Sequence, residues 1–131
     1  MSSKRTYSLR TRWSDADAQG VLNNAVYLTL FEEARHALAL ELGLLDDEGN
    51  FPFLLARTEV DFKSPGKGGA RVLVAIETTK LGTSSFTQRY TVSSETGSIW
   101  AEGTAILVCY DPSTGASQPM TDSYRSALAA D

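Results

Sequence analysis

One unbroken stretch constrains this chain more than any other. From Ala25 to Leu42 there is neither proline nor glycine, and Gly43 then supplies the usual helix stop. Roughly 18 helical residues at 1.5 Å each make a rod of about 27 Å. Asn23 or Asn24 can cap its start. One face collects Tyr27, Leu30, Phe31, Ala34, Ala37 and Leu38, and another collects Leu28, Leu40 and Leu42. Only Glu32, Glu33, Arg35, His36 and Glu41 are strongly polar. A helix so apolar around its girth is expected to be largely wrapped by other structure.

The stretch just upstream is polar: Asp15, Asp17, the turn-former Gly20 and the pair Asn23-Asn24. A helix N-terminus offers unpaired backbone N–H groups and partial positive charge, a place for an anion or a polarised carbonyl. Asp17 lies close enough to act on a group held there. By spacing alone, Asp15 and Asp17 are equally well ordinary loop carboxylates that favour the helix dipole.

The remainder reads as strands. Tyr7 to Trp13 alternates with period two, which predicts a half-buried strand. Strands are also predicted over Phe51–Pro65, Arg71–Leu81, Phe86–Ser93 and Ile99–Tyr110, separated by Gly- and Pro-containing turns. Such turn-linked strands pair antiparallel most easily. The tail MTDSYRSALAA predicts a short helix that covers an edge. The fold class is therefore α+β: a five-stranded sheet curled around one helix, with an edge left over that invites a partner chain.

The bulk numbers narrow the function. A chain of 131 residues, 42% hydrophobic and 21% charged, reads as one domain spanning 1–131 with a real core. Its net charge of −4 argues against broad nucleic-acid binding. The one cysteine, Cys109, and the absence of an apolar leader in MSSKRTYSLRTRW fit a reducing, cytoplasmic setting. No run approaches the roughly 18 apolar residues of a membrane span. With one histidine and one cysteine, no metal cluster at ligand spacing is expected. No GxSxG, P-loop or GxGxxG occurs.

The string RTRWSDADAQGVLNNAVYLTLFEEAR resembles the signature of hot-dog-fold thioesterases of the 4-hydroxybenzoyl-CoA thioesterase type. The matching positions are Asp17, Gly20, Asn24 and Tyr27, and the KSPGKGG turn and KLGTSSFTQRY hairpin are similar to the family's middle strands. The resemblance covers about Tyr7 to Tyr110. It implies two chains paired sheet edge to edge, as a dimer or dimer of dimers, with acyl-CoA as substrate and active sites at the interface. It puts the catalytic carboxylate on Asp17 and the carbonyl-polarising amide on Asn24. The substrate-binding set that goes with it is Gly20, Tyr27, Thr58, Lys63, Gly82, Thr83, Ser84 and Ser85, with coenzyme A along the middle strands and cations at the rim. Coenzyme A enters as part of the substrate, and no cofactor or metal is implied.

The chain departs from the pattern at Val21, where many relatives carry histidine. Other branches of the fold place a glutamate on the long helix, and Glu33 and Glu41 are the positions available for it. Thioester hydrolysis needs an electrophilic carbonyl, a nucleophile and room for water. The Asn24 amide serves the first, and Asp17 serves the second as nucleophile or as general base. Thiolate is a good leaving group, so no strong acid is required. The alternative reading is a non-catalytic acyl-thioester-binding module. Asp15 is expected to point elsewhere and close a turn, and His36 to lie at a surface or interface. Two or three of Lys63, Lys67, Arg71, Lys80 and Arg89 can face phosphates.

Overall fold

The computed structural model describes residues 4–130, which leaves Met1–Ser3 and Asp131 outside the description. In chain order the elements are β1 (Arg5–Arg10), a 3-10 turn (Trp13–Asp15), α1 (Asn24–Leu42), β2 (Phe53–Phe62), β3 (Arg71–Leu81), β4 (Ser85–Ser94), β5 (Ile99–Cys109) and α2 (Asp122–Ala130). The five strands form one antiparallel sheet in the order β1-β3-β4-β5-β2. This is the curled sheet and single long helix that the resemblance implies.

The local rules account for α1. Asn23 is the N-cap, with its Oδ1 accepting from the Ala25 N–H at 3.0 Å. Gly43 ends the helix in the left-handed region at φ 69°, where a side chain would be strained. The buried stripe is Tyr27, Leu30, Phe31, Ala34, Arg35, Leu38 and Ala39, at helical spacing. Phe31 stacks on Tyr90 with ring centroids 4.5 Å apart. Gly103 makes that approach possible, because a Cβ there would stand 2.6 Å from the Phe31 ring and 2.9 Å from the Glu59 carbonyl oxygen. Truncating such a buried aromatic to alanine costs about 3–5 kcal/mol. Cys109 is buried on β5 among apolar neighbours, and burial pushes its thiol pKa up.

Three expectations are corrected. The first strand ends at Arg10 rather than Trp13, because the Asp15 carboxylate accepts from the Arg12 amide and closes a 3-10 turn. Trp13 is left 86% exposed. Second, β2 does not pair with β3. It runs along the far side of β5, and residues 63–70 cross the end of the sheet instead of turning back. Pro65 and three glycines give that crossover its freedom, and Gly66 lies so close to Trp100, Leu22 and the Tyr27 hydroxyl that no side chain fits. Third, α1 is not wrapped on all sides within one chain. Leu28 and Leu40 remain exposed, as do Leu54, Leu55 and Phe62 on β2, the edge strand. The sheet has two edges, and closing around the helix covers only its inward stripe.

The tail forms the short helix expected, but it packs on β3, an inner strand, rather than along an edge strand. Leu128 of α2 is buried, and Tyr124 packs on Phe53 at 5.5 Å. No helix among the described residues is long and apolar enough to cross a membrane.

Candidate active site at the start of α1

The segment between β1 and α1 is held by two carboxylates in different ways. Asp15 is buried and accepts from Arg12 three times: from the backbone N–H at 2.7 Å, from Nε at 3.1 Å and from Nη2 at 2.9 Å. The Arg12 amide and then its guanidinium hold the Asp15 carboxyl below the usual carboxylate range, against the opposing effect of burial. Asp15 is thus a scaffold group that closes a turn. Its carbonyl also accepts from the Asn23 N–H at 2.8 Å, which pins the helix start to the 3-10 turn.

Asp17 is exposed and works differently. Its Oδ1 accepts from the Gln19 N–H at 2.8 Å and the Val21 N–H at 3.3 Å, an Asx-type turn. Its backbone N–H donates to the Val21 carbonyl at 2.8 Å, and Gly20 turns the chain at φ 80°. Among the described residues nothing bonds Oδ2. The carboxylate is oriented through one oxygen and open at the other. The Asn24 N–H, first of the helix, has no acceptor among the described residues, while Asn23 caps the next turn. The helix start therefore presents a free donor and a positive dipole end, and the loop before it holds the Asp17 carboxylate in a fixed orientation.

The other positions named from the sequence fall in three places. Tyr27 is in the core, its ring edge-on to Phe62 at 5.3 Å and its hydroxyl toward the Gly66 backbone. Burial raises its pKa. Lys63 is exposed just past β2, and its N–H donates to the Trp100 carbonyl at 2.8 Å. Thr58 sits midway along β2 and donates to the Thr104 carbonyl at 2.8 Å. Gly82, Thr83, Ser84 and Ser85 form the β3–β4 turn at the opposite end of the sheet. The eleven residues of β3 separate that turn from the crossover beside Asp17, about 35 Å at strand rise. One chain therefore does not bring the turn and the carboxylate together.

The sequence reading missed a cleft of about 630 Å³ between α1 and the start of β2. Glu32, Glu33, Arg35 and His36 line it from the helix, facing Phe51 to Leu55. Arg35 is buried, donates from Nη1 to the Tyr90 hydroxyl at 3.1 Å and lies over the Tyr90 ring at 5.7 Å. Tyr90 in turn donates to Gln88 Oε1 at 2.8 Å, and Gln88 Nε2 to Thr78 Oγ1 at 3.3 Å. Burial pushes the Tyr90 phenol up to about 12, with Arg35 pulling the other way. The signal was available: Arg35 stands four residues from Phe31 and three from Leu38, on the inward face.

The model of the thioesterase superfamily matches residues 19–101, well over half of the sequence. The chain belongs to the thioesterase superfamily. Among curated relatives of this thioesterase, the 1,4-dihydroxy-2-naphthoyl-CoA hydrolase of Synechococcus elongatus is 27% identical over 116 residues, covering 85% of each chain. A thioesterase from Thermus thermophilus, solved with coenzyme A and zinc, is 30% identical with a TM-score of 0.79 over 94% of this chain and 90% of its own. A 1,4-dihydroxy-2-naphthoyl-CoA thioesterase from Synechocystis superposes with a TM-score of 0.85 at 22% identity, covering 97% and 96%. The fold is the hot-dog fold, and the chain is a thioester hydrolase.

Proposed function

We propose that this thioesterase hydrolyses an acyl-CoA to the free acid and coenzyme A, with Asp17 as the catalytic carboxylate and the Asn24 amide as the donor to the thioester oxygen. The observations that support the reading are an open, oriented Asp17 oxygen in the loop before α1 and an unpartnered Asn24 N–H at that helix's positive end. The relative's action on 1,4-dihydroxy-2-naphthoyl-CoA supports a coenzyme A thioester as substrate.

In the general-base route, Asp17 takes a proton from water while the water oxygen attacks the carbonyl carbon. The oxyanion develops against the Asn24 N–H, and coenzyme A leaves as thiolate to be protonated. In the nucleophilic route, Asp17 itself attacks, thiolate departs, and water cleaves the resulting mixed anhydride. Both routes need the same two groups and no cofactor. Losing one oxyanion donor in such a site costs about 3 kcal/mol.

The active unit in this reading is a dimer joined along β2. That strand has an unpaired edge and exposed Leu54, Leu55 and Phe62, the kind of edge that a second copy covers. Antiparallel pairing of two such edges sets the Asp17 end of one chain beside the Gly82–Ser85 end of the other. Coenzyme A then runs from one chain's Asp17, past Thr58 and Lys63, toward the partner's turn hydroxyls. The protein acts in the cytoplasm in this reading.

Replacing Asp17 with Asn keeps an oxygen for the Gln19 and Val21 amides but removes the base. We expect Asp17→Asn to lower kcat by about 100- to 10,000-fold on an acyl-CoA panel, followed by thiol release, with an unchanged melting temperature. Equal kcat in the two proteins would remove Asp17 from the mechanism. Tight coenzyme A binding with no thiol release from any member of the panel would favour a binding module instead.

A further inference from the structure

We propose that Arg125 of α2 is a positioning residue for the coenzyme A end of the substrate. By holding the Gly82 carbonyl inward it aims the Thr83 N–H out of the β3–β4 turn, where that amide donates to a phosphate oxygen of coenzyme A. The role rests on the acyl-CoA reading above and deepens it, since it gives the C-terminal tail a part in substrate binding.

A trans peptide unit is planar and carries its C=O and the next N–H on opposite sides, so a bond that fixes the one fixes the other. No cis peptide occurs among the described residues. In the turn, the Arg125 guanidinium donates to the Gly82 carbonyl, the Met120 N–H to the Thr83 carbonyl at 3.0 Å, and the Cys109 N–H to the Ser84 carbonyl at 2.7 Å. Three successive carbonyls are thus drawn toward the body of the chain. The Thr83 and Ser84 amides share peptide planes with the first two carbonyls and are turned away from it. Neither amide has an acceptor among the described residues. Successive outward amides make a small concavity that favours an anion.

Two of the three holding groups come from the tail, which lies outside residues 19–101 matched by the superfamily model. The tail is well anchored. Met120 and Leu128 are buried, Tyr124 packs on Phe53, and the Tyr124 N–H donates to Thr121 Oγ1 at 3.1 Å at the start of α2. Arg125 is half-buried, and its guanidinium forms no ion pair among the described residues, although Asp122 stands three residues earlier on the same helix. Its charge is spent on a main-chain oxygen.

The hairpin does not need that bond to close. The Gly82 N–H already donates to the Ser85 carbonyl at 2.7 Å. The β4–β5 turn closes in the same way, with the Gly97 N–H on the Ser94 carbonyl at 3.1 Å and the Ser94 N–H on the Ser98 carbonyl at 2.9 Å, and no tail residue holds it. What Arg125 adds is the direction of one peptide. Released, the Gly82–Thr83 unit is free to rotate, and its carbonyl then meets a phosphate with the wrong partial charge.

The experiment uses the acyl-CoA that the panel above turns over fastest and the matching acyl-pantetheine, which lacks the phosphates. KM and kcat are measured for both in wild type, Arg125→Met and Arg125→Lys, at low and high salt. We expect Arg125→Met to raise KM for the acyl-CoA by about 5-fold or more with kcat within about 2-fold, and to leave the acyl-pantetheine unaffected. Arg125→Lys, which keeps a donor for the Gly82 carbonyl, recovers most of the loss. In wild type, coenzyme A moves the Thr83 amide proton downfield in the NMR spectrum, a reading that stands should the Met variant not fold. An equal rise in KM for the acyl-pantetheine marks a merely structural residue and overturns the role. So does a KM effect that vanishes at high salt, since that marks a direct charge contact with the phosphates. A Thr83 amide that stays put when coenzyme A binds overturns it as well. No thiol release from any acyl-CoA, with Thr83 still shifted by coenzyme A, defeats the hydrolase reading and leaves the positioning role.

Discussion

Two ends of one sheet carry turns of small and polar residues, and they differ in what their backbones have left to offer. At the Asp17 end, one carboxylate oxygen and the Asn24 amide are open. At the Gly82 end the backbone carbonyls are engaged by the chain itself. Gly82 N–H donates to the Ser85 carbonyl at 2.7 Å, Met120 N–H to Thr83 at 3.0 Å, Cys109 N–H to Ser84 at 2.7 Å, and the Arg125 guanidinium to Gly82. The first end can do chemistry with its main chain. The second has its Gly82, Thr83 and Ser84 carbonyls taken up, and offers a ligand only donors and hydroxyls: the Thr83 and Ser84 amides and the side-chain oxygens. Residue type marks a turn in both cases; hydrogen-bond accounting separates them.

The sharpest way to break this comparison is to part the two ends. Leu55 is 45% exposed on β2, so Leu55→Arg should leave the monomer folded while putting an unpaired charge into the edge. We expect a shift from dimer to monomer in sedimentation and a loss of kcat/KM on the order of 100-fold, because a buried unpaired charge is strongly disfavoured. A fully active monomer would show that one chain suffices.

A second experiment sharpens the account of the scaffold. Asp15 has its carboxyl pKa lowered in the folded state, so it stabilises the fold above its unfolded pKa of about 4. That contribution disappears as pH falls through the lower folded value. Asp15→Asn should therefore melt earlier than wild type at pH 7, and the gap should close as pH drops below about 4. A gap that does not vary with pH would mean the carboxylate charge is not what holds the turn.

The smallest effect is expected at the far turn. The double change Thr83→Ala, Ser84→Ala removes hydroxyls but no backbone bond. It should raise KM for acyl-CoA by roughly 3- to 10-fold with kcat nearly unchanged, the size of one or two polar contacts. An unaltered KM would take those hydroxyls out of the coenzyme A path.

Much of this was legible because it is local. Alternation in Arg71–Leu81 and Ile99–Tyr110 marks inward and outward faces whichever strand lies alongside, so the strands were found nearly to the residue. Asn23, Gly43 and the unbroken run between them bounded α1 equally well. Strand order was less legible, because alternation on β2 does not say whether β3 or β5 is its neighbour. The 3-10 turn was hidden in a run that also scans as a strand, and only the Arg12–Asp15 bonding tells the two apart. Arg35 counted in the sequence only as one of five polar residues on α1, because its place on the inward face depends on helical position rather than residue type.

The sole cysteine has a practical consequence. Cys109 is 2% exposed and burial raises its thiol pKa. Every turnover of the proposed reaction liberates a free sulfhydryl, which in air drifts toward disulfide and seeks others to exchange with. The folded protein offers it none within reach. Chromogenic disulfide reagents can therefore count product in real time without titrating the catalyst.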